Sequence, residues 1–395
     1  MAVFLRWCVG HLQAPGCRDQ PSAGPPPCRT QDRSPSVAAK TGVSPEFRRI
    51  DPALCTRSGR YRGLVTHRPG LDPSVAEVRR AVRRALEPLG HGSTVVVGLS
   101  GGADSLALAA ATVFEGRKLG LRVVAATVDH GLQPGSADAA ATAARAATAL
   151  GAEARIVTVD VGTDGGPEAA AREARYAALI GVARDAGAAA ILVGHTLDDQ
   201  AETVLLGLAR GAGGASLQGM APASDLDGIA LLRPLLGVRR VTTRASCAAE
   251  DLRPWDDPQN VDPRFARVRV RERVLPALEA ELGPGIAEAL ARTAEQLRED
   301  GEAFAEMIDE TIEDIVEHAE AGISVSVPAL AANPPALRHR IIRHVVASEF
   351  HQSLTRAQTL EVARLVTDWA GQGPIDLPGC RAHRSGSLIV FTGTL

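Results

Sequence analysis

The feature that most restricts the fold is a regular alternation between residues 94 and 208. Short apolar runs are each followed by ten or more residues with helical spacing. Residues 94–99, 123–128, 156–159 and 191–194 read as buried strands. Residues 104–114, 137–150, 168–186 and 198–208 read as the helices that follow them, and 75–89 as an amphipathic helix ahead of the first strand. Parallel strands need crossovers of this length. The pattern therefore predicts an α/β fold, a Rossmann-like parallel sheet with helices on both faces. Such sheets bind ligands beyond the carboxyl ends of their strands, which says where chemistry should be sought.

The flanking segments differ. Residues 1–70 are rich in proline and arginine, show no sustained periodicity and read as a disordered extension, or as a start codon set too early. Cys8, Cys17, Cys28 and Cys55 lie there without a CxxC pair, which disfavours zinc. The first twelve residues, broken by Arg6, do not make a secretory signal, and no run reaches the ~20 apolar residues of a membrane span. Cys247 and Cys380 suit a reducing, cytoplasmic setting. Residues 71–275 are expected to form the α/β domain. Residues 276–395 are expected to form a smaller, mostly helical domain with helices at 287–320, 336–350 and 355–367 and strands at 323–327 and 387–391.

Four constellations carry the chemistry. Ser100-Gly101-Gly102-Ala103-Asp104-Ser105 joins the first strand to its helix. Adjacent glycines let a ligand approach the backbone, and the helix start offers unpaired N–H groups and a positive dipole end, an anion cradle suited to phosphate. Asp104 would repel phosphate unless it holds Mg²⁺ or caps the helix. The second constellation, after the fourth strand, is His195 with Asp198, Asp199 and Glu202. Acids three and four apart share a helix face, fit either to favour the dipole or to hold a cation. His195 could be structural or functional. In the third, Asp129 and His130 either face the site or close the turn at Gly131. The fourth is basic: Arg264, Arg267 and Arg271, with Arg269 and Arg273 between and after them, follow helical spacing. One helix face would present three guanidiniums, as a solvated surface or as a track for RNA phosphates.

Ser100–Ser105 resembles the SGGxDS loop of the N-type ATP pyrophosphatases, the PP-loop superfamily, which transfer AMP from ATP to a substrate oxygen. The loop has no lysine, and Lys40 and Lys118 are the only two in the chain, which disfavours a P-loop kinase. From about residue 71 onward, the ordered set resembles the tRNA(Ile)-lysidine synthetases. It runs SGGADS, VDHGL, EAAAREARY, GHTLDDQAET, Arg233-Pro-Leu-Leu236 and Asp257-Pro-Gln-Asn260, then the arginine run. The sequence departs from the family pattern at Gln133, Gln259 and Val268, none of which removes a catalytic group.

The resemblance implies an ATP-dependent ligase. ATP adenylates the C2 oxygen of the wobble cytidine of a CAU-anticodon tRNA(Ile), and the ε-amine of free L-lysine displaces AMP. It implies ATP contacts at Ser100–Ser105, Asp129 and His130, with Asp104 as the Mg²⁺ residue. Asp199 and Glu202 would bind lysine, His195 would support the reaction, and Arg264, Arg267 and Arg271 would contact tRNA. A homodimer stays open. Rival readings are a tRNA thiolase or amidotransferase of the same fold, and a non-catalytic nucleotide-binding module. Thiolation usually needs paired cysteines, and Cys247 has no sequence neighbour of its kind. The formal net charge of −3 argues against nucleic acid only at first sight. Residues 1–70 hold 11 basic and 4 acidic side chains, so the remainder is more acidic still, at −10. What matters is where its arginines sit.

Overall fold

A computed structural model describes residues 70–131, 133, 135–162, 166–211, 213–319 and 322–394. The disorder expected for residues 1–70 falls outside them, save for Gly70. The described residues open with α1 (Pro73–Leu86), started by Asp72, whose carboxylate accepts from the Ser74 N–H, and by Pro73 at the first helical position. There follow β1 (Thr94–Gly98), α2 (Ala103–Leu119), β2 (Arg122–Asp129), α3 (Ser136–Leu150), β3 (Glu153–Thr158), α4 (Pro167–Ala186), β4 (Ala188–Leu192) and α5 (Leu197–Ala209). After α6 (Gly214–Leu217), a hairpin of β5 (Ala223–Leu226) and β6 (Ile229–Leu232) completes a six-stranded sheet of order β3-β2-β1-β4-β6-β5. Only β5 is antiparallel to its neighbour.

β1 is buried on both faces. Val95 and Val97 pack in one apolar cluster with α1 and α2, while Val96 packs in another with Leu179, Val182 and Ile191. That is why the run reads as continuously apolar rather than alternating. The chain leaves β1 toward β2 on one side and later returns to β4 on the other. The reversal opens a crevice at the carboxyl ends of β1 and β4, the usual ligand position in such sheets.

Beyond the sheet come α7 (Arg240–Ala249), α8 (Ala266–Arg269), a π-helical turn at Val270–Val274, and α9 (Leu275–Leu282). The boundary expected at 275/276 therefore falls inside one unbroken helical run. The 30-residue α10 (Ile286–Ile315) packs on α5 and α6 and then on α12 (Pro335–Phe350). Its expected extension to 320 is corrected: β7 (Val316–Ala319) leaves the helix to pair with β8 (Gly322–Ser326), and that pairing outweighs local helical preference. The rest comprises α11 (Val327–Ala332), α13 (Arg356–Thr367), β9 (Ile375–Leu377), β10 (Cys380–Ser385) and β11 (Leu388–Gly393). These strands form a five-stranded antiparallel sheet of order β7-β8-β11-β10-β9, sharing a core with α12 and α13. The mostly helical region thus also carries a sheet, of which the sequence indicated two strands.

Candidate active site

The loop after β1 is shaped by its glycines. Gly101 has φ +86°, a left-handed conformation that favours glycine, and its carbonyl accepts from the Trp255 N–H at 2.9 Å. The Ser100 N–H and hydroxyl both bond Ser105 Oγ, at 3.2 and 3.1 Å, and Ser105 Oγ donates to the Gly102 carbonyl. No side chain caps α2, so its first N–H groups are left for an anion. The segment after β4 runs against this turn. A Cβ on Gly194 would come within 3.1 Å of the Asp104 carbonyl. Beside the loop is a cavity of about 110 Å³, lined among others by Ser100, Asp129, His130, Trp255 and Asp257.

Asp129 accepts from the Gly131 N–H, which with Ser136 holds its carboxyl below the usual range, so it closes its own turn. Burial first, then the charge of Arg175, holds the His130 imidazole below its ordinary value. Its Nδ1 is buried without a partner among the described residues.

At the start of α5, Thr196 and Asp199 form a capping box. Asp199 Oδ2 accepts from Thr196 N and Oγ1, at 2.8 and 2.7 Å. Asp198 turns away to the start of α7, accepting from the Arg240 N–H and pairing with Arg239. Asp199 and Glu202 are therefore the acids that share the crevice. Glu202 is 0% exposed. Arg271 grips it with Nε at 2.7 Å and Nη2 at 3.1 Å.

Arg240 ties these acids to the loop. Its guanidinium reaches Asp199 Oδ1 at 2.8 Å, Glu202 Oε1 at 3.2 Å and Asp104 Oδ2 at 3.4 Å. Thr243, one turn on, donates to Asp104 Oδ1. Burial pulls the Asp199 carboxyl up, but the Arg240 charge and the Thr196 donors outweigh it and leave Asp199 below the usual range. For Asp104 burial wins over Thr243 and Arg240, and its carboxyl sits above that range. Arg240 and Thr243 were not found from sequence. The available signal was arginine at 239 and 240 opening a helix, where cations oppose the dipole and so require acidic partners.

His195 lies among guanidiniums. Burial first, with Arg175, Arg172 and Arg233 against the opposing pull of Asp199, lowers its imidazole to about 4. Its Nδ1 is buried without a partner among the described residues. Arg175 is itself pushed down by burial, with Tyr176 pulling it up and the neighbouring Arg172 and Arg267 pushing it further down.

The single helix face expected to present Arg264, Arg267 and Arg271 is not formed. Arg264 precedes α8 and pairs with Asp262, Arg267 donates to Thr203 Oγ1 at 3.2 Å, and Arg271 turns inward to Glu202. The wide turn at Val270–Val274 breaks the 3.6-residue spacing on which that face depended.

Among the described residues, no group of three His, Cys, Asp or Glu could hold a metal by itself. Cys247 and Cys380 are free and buried. Burial, then the Asp104 charge, pushes the Cys247 thiol up to about 11.

Residues 75–278 match a PP-loop domain family (ATP_bind_3), and residues 326–387 match the TilS substrate binding domain. A tRNA(Ile)-lysidine synthase of Leifsonia xyli subsp. xyli is 59% identical over 306 residues, covering 77% of this chain and 91% of that protein. One from Salinispora tropica is 52% identical over 314 residues, covering 78% and 93%. Among solved structures, the U34-tRNA thiolase NcsA from Methanococcus maripaludis is 23% identical with a TM-score of 0.49, over 57% of this chain and 79% of that one. On the matched PP-loop domain and the identity to these near full-length relatives, the chain belongs to the tRNA(Ile)-lysidine synthase family.

Proposed function

We propose that the protein ligates free L-lysine to C2 of the wobble cytidine of CAU-anticodon tRNA(Ile), consuming ATP and releasing AMP and pyrophosphate. The observation that carries this reading is the ion-pair network joining Asp104 of the loop to the buried Asp199 and Glu202. A polyphosphate cradle and an acid pair suited to an ammonium share one crevice, as a two-step reaction at one carbon requires.

In the first step the cytidine C2 oxygen attacks the α-phosphorus of ATP. A new O–P bond forms, the α–β bridging P–O bond breaks, and pyrophosphate leaves. The free N–H groups of the first turn of α2 stabilise the displaced phosphates. Mg²⁺ typically takes one or two carboxylates together with substrate phosphates, and Asp104 at the start of α2 fits that donor pattern. When bound, Mg²⁺ would neutralise phosphate charge, with Asp104 as the residue that holds it.

In the second step the lysine Nε bonds to C2 and the C2–O bond breaks, with AMP as leaving group. Deprotonating an amine of pKa ~10.4 at pH 7 costs about 4–5 kcal/mol. Asp199 and Glu202 hold the ammonium, and one of them receives its proton directly or through water. Ser100–Ser105 with Asp129 and His130 surround the nucleotide. His195, neutral at pH 7, can donate or accept a hydrogen bond near the cytidine without adding charge.

Arg264 and Arg267 are assigned to tRNA, and Arg271 acts through Glu202. Residues 71–275 carry the chemistry together with these arginines, and 276–395 supply further tRNA contact. Among the described residues no helix is long and apolar enough to cross a membrane, and a cytoplasmic setting suits a tRNA substrate.

Incubation with a CAU-anticodon tRNA(Ile) transcript, ATP, Mg²⁺ and labelled lysine should place the label in tRNA. No label, alongside a competent control enzyme, would overturn the reading.

A further inference from the structure

Glu202 is wholly shielded and both lone pairs of its Oε1 are engaged, by Arg240 and Arg271. Asp199 Oδ2 is fully used by Thr196, and its Oδ1 accepts from Arg240. In this arrangement an incoming ammonium, with three N–H donors, finds neither access nor enough acceptors. The blocking group is bound lightly at one end. Arg240 Nε reaches Asp104 at 3.4 Å, at the first turn of α2 where the phosphate cradle lies. A polyphosphate there carries more charge than a carboxylate and presents a row of oxygens to a planar, forked donor.

We propose that Arg240 is a positioning residue that makes lysine binding depend on ATP. Without nucleotide it pairs with Asp104, Asp199 and Glu202 at once. With nucleotide it turns to the phosphates and gives up Asp199 Oδ1 and one lone pair of Glu202 Oε1, which the lysine ammonium then takes. The same cation thus serves two anionic partners in turn, and the acid pair is open only when there is ATP for the adenylation step. This inference rests on the reading of Asp199 and Glu202 as the lysine site.

Two facts support a switch of partner over a fixed structural bridge. Arg271 alone already gives Glu202 a two-point partner, so that buried charge keeps a counter-ion after Arg240 moves. Arg240 also stands at the first position of α7, whose N-terminal N–H is already held by Asp198. Its backbone stays anchored while the side chain turns.

The test is equilibrium dialysis of the full chain against labelled lysine, with and without Mg²⁺ and the α,β-methylene analogue of ATP, which cannot be cleaved at the reacting bond. The analogue should tighten lysine binding by roughly 5–150-fold, the usual span of a coupled pair of sites. By linkage, lysine should tighten analogue binding by the same factor. Arg240→Lys keeps the charge but loses the fork, and should bring the factor close to one. Arg240→Ala should bind lysine without nucleotide. If Arg240→Ala does not fold, Arg240→Lys carries the test. Lysine affinity in the natural protein that ignores the analogue would overturn this inference alone. So would an undiminished factor in the Arg240→Lys protein. Absence of lysine binding in every state would overturn the lysine-site reading and this inference with it.

Discussion

Acidification should destabilise this protein through His195. In the unfolded chain its imidazole titrates near its ordinary 6.5, and in the folded chain at about 4. Between those values the unfolded state binds a proton that the folded state refuses. Stability is therefore fully present above the unfolded value and is lost as pH falls toward the folded one. The full shift corresponds to about 3 kcal/mol, at about 1.36 kcal/mol per unit. Between about pH 7.5 and about pH 5 the loss should be about 2 kcal/mol. The cause is physical and local: a half-buried ring facing Arg175, Arg172 and Arg233 with only Asp199 pulling the other way. Urea unfolding of the natural protein and of His195→Asn at both pH values gives the difference directly, because every other titrating group is common to both. Equal losses in the two proteins would refute the reasoning. Asp199→Asn removes the favourable partner and should move the imidazole midpoint, read by NMR, further down; an upward move would contradict it.

Asp104→Ala should lower lysine incorporation at least about a hundredfold if the residue holds Mg²⁺ beside the reacting phosphates as proposed; near-normal turnover would mean the loop works otherwise. Glu202→Gln removes a buried charge gripped by Arg271 and Arg240 and should cost about 3–5 kcal/mol of stability. A urea measurement below about 1 kcal/mol would show the network to be energetically slack. Gly194→Val places carbon within 3.1 Å of the Asp104 backbone and must shift the first turn of α2. The KM for ATP should rise more than the KM for lysine, and equal changes would count against the contact.

The parallel sheet was legible because β1, β2 and β4 are buried on both faces and so appear as unbroken apolar runs. The loop was legible because Ser100–Ser105 follows such a run directly. β5, β6, β9 and β10 were not. They are short, and β10 reads Cys-Arg-Ala-His-Arg-Ser, a sequence with weak strand preference held by pairing on both sides. At the site, spacing marked acids at 198, 199 and 202 and the family resemblance singled out 199 and 202, but their partners were not legible. Arg240 and Arg271 lie 41 and 69 residues away from them in sequence, and only the packing of α7 and the turn at Val270–Val274 brings them in. The same turn undid the expected arginine face, since one widened turn shifts every following residue around the axis.

Net charge misleads here because charges in salt are felt over only about 8–10 Å. From residue 71 on the protein is acidic, yet the excess is not at the crevice. The α10 helix alone holds ten acidic and two basic residues, nearly enough to account for the whole surplus. At the crevice, arginines gather beside the acids. Asp104, Asp199 and Glu202 pair with Arg240 and Arg271, while Arg172 and Arg267 lie close enough to push Arg175 down. Under the proposed function, an approaching phosphate backbone responds to those arginines, and α10 disfavours docking along its own acidic surface. A near-neutral chain can therefore bind RNA, and its acidic helix narrows the directions of approach instead of preventing it.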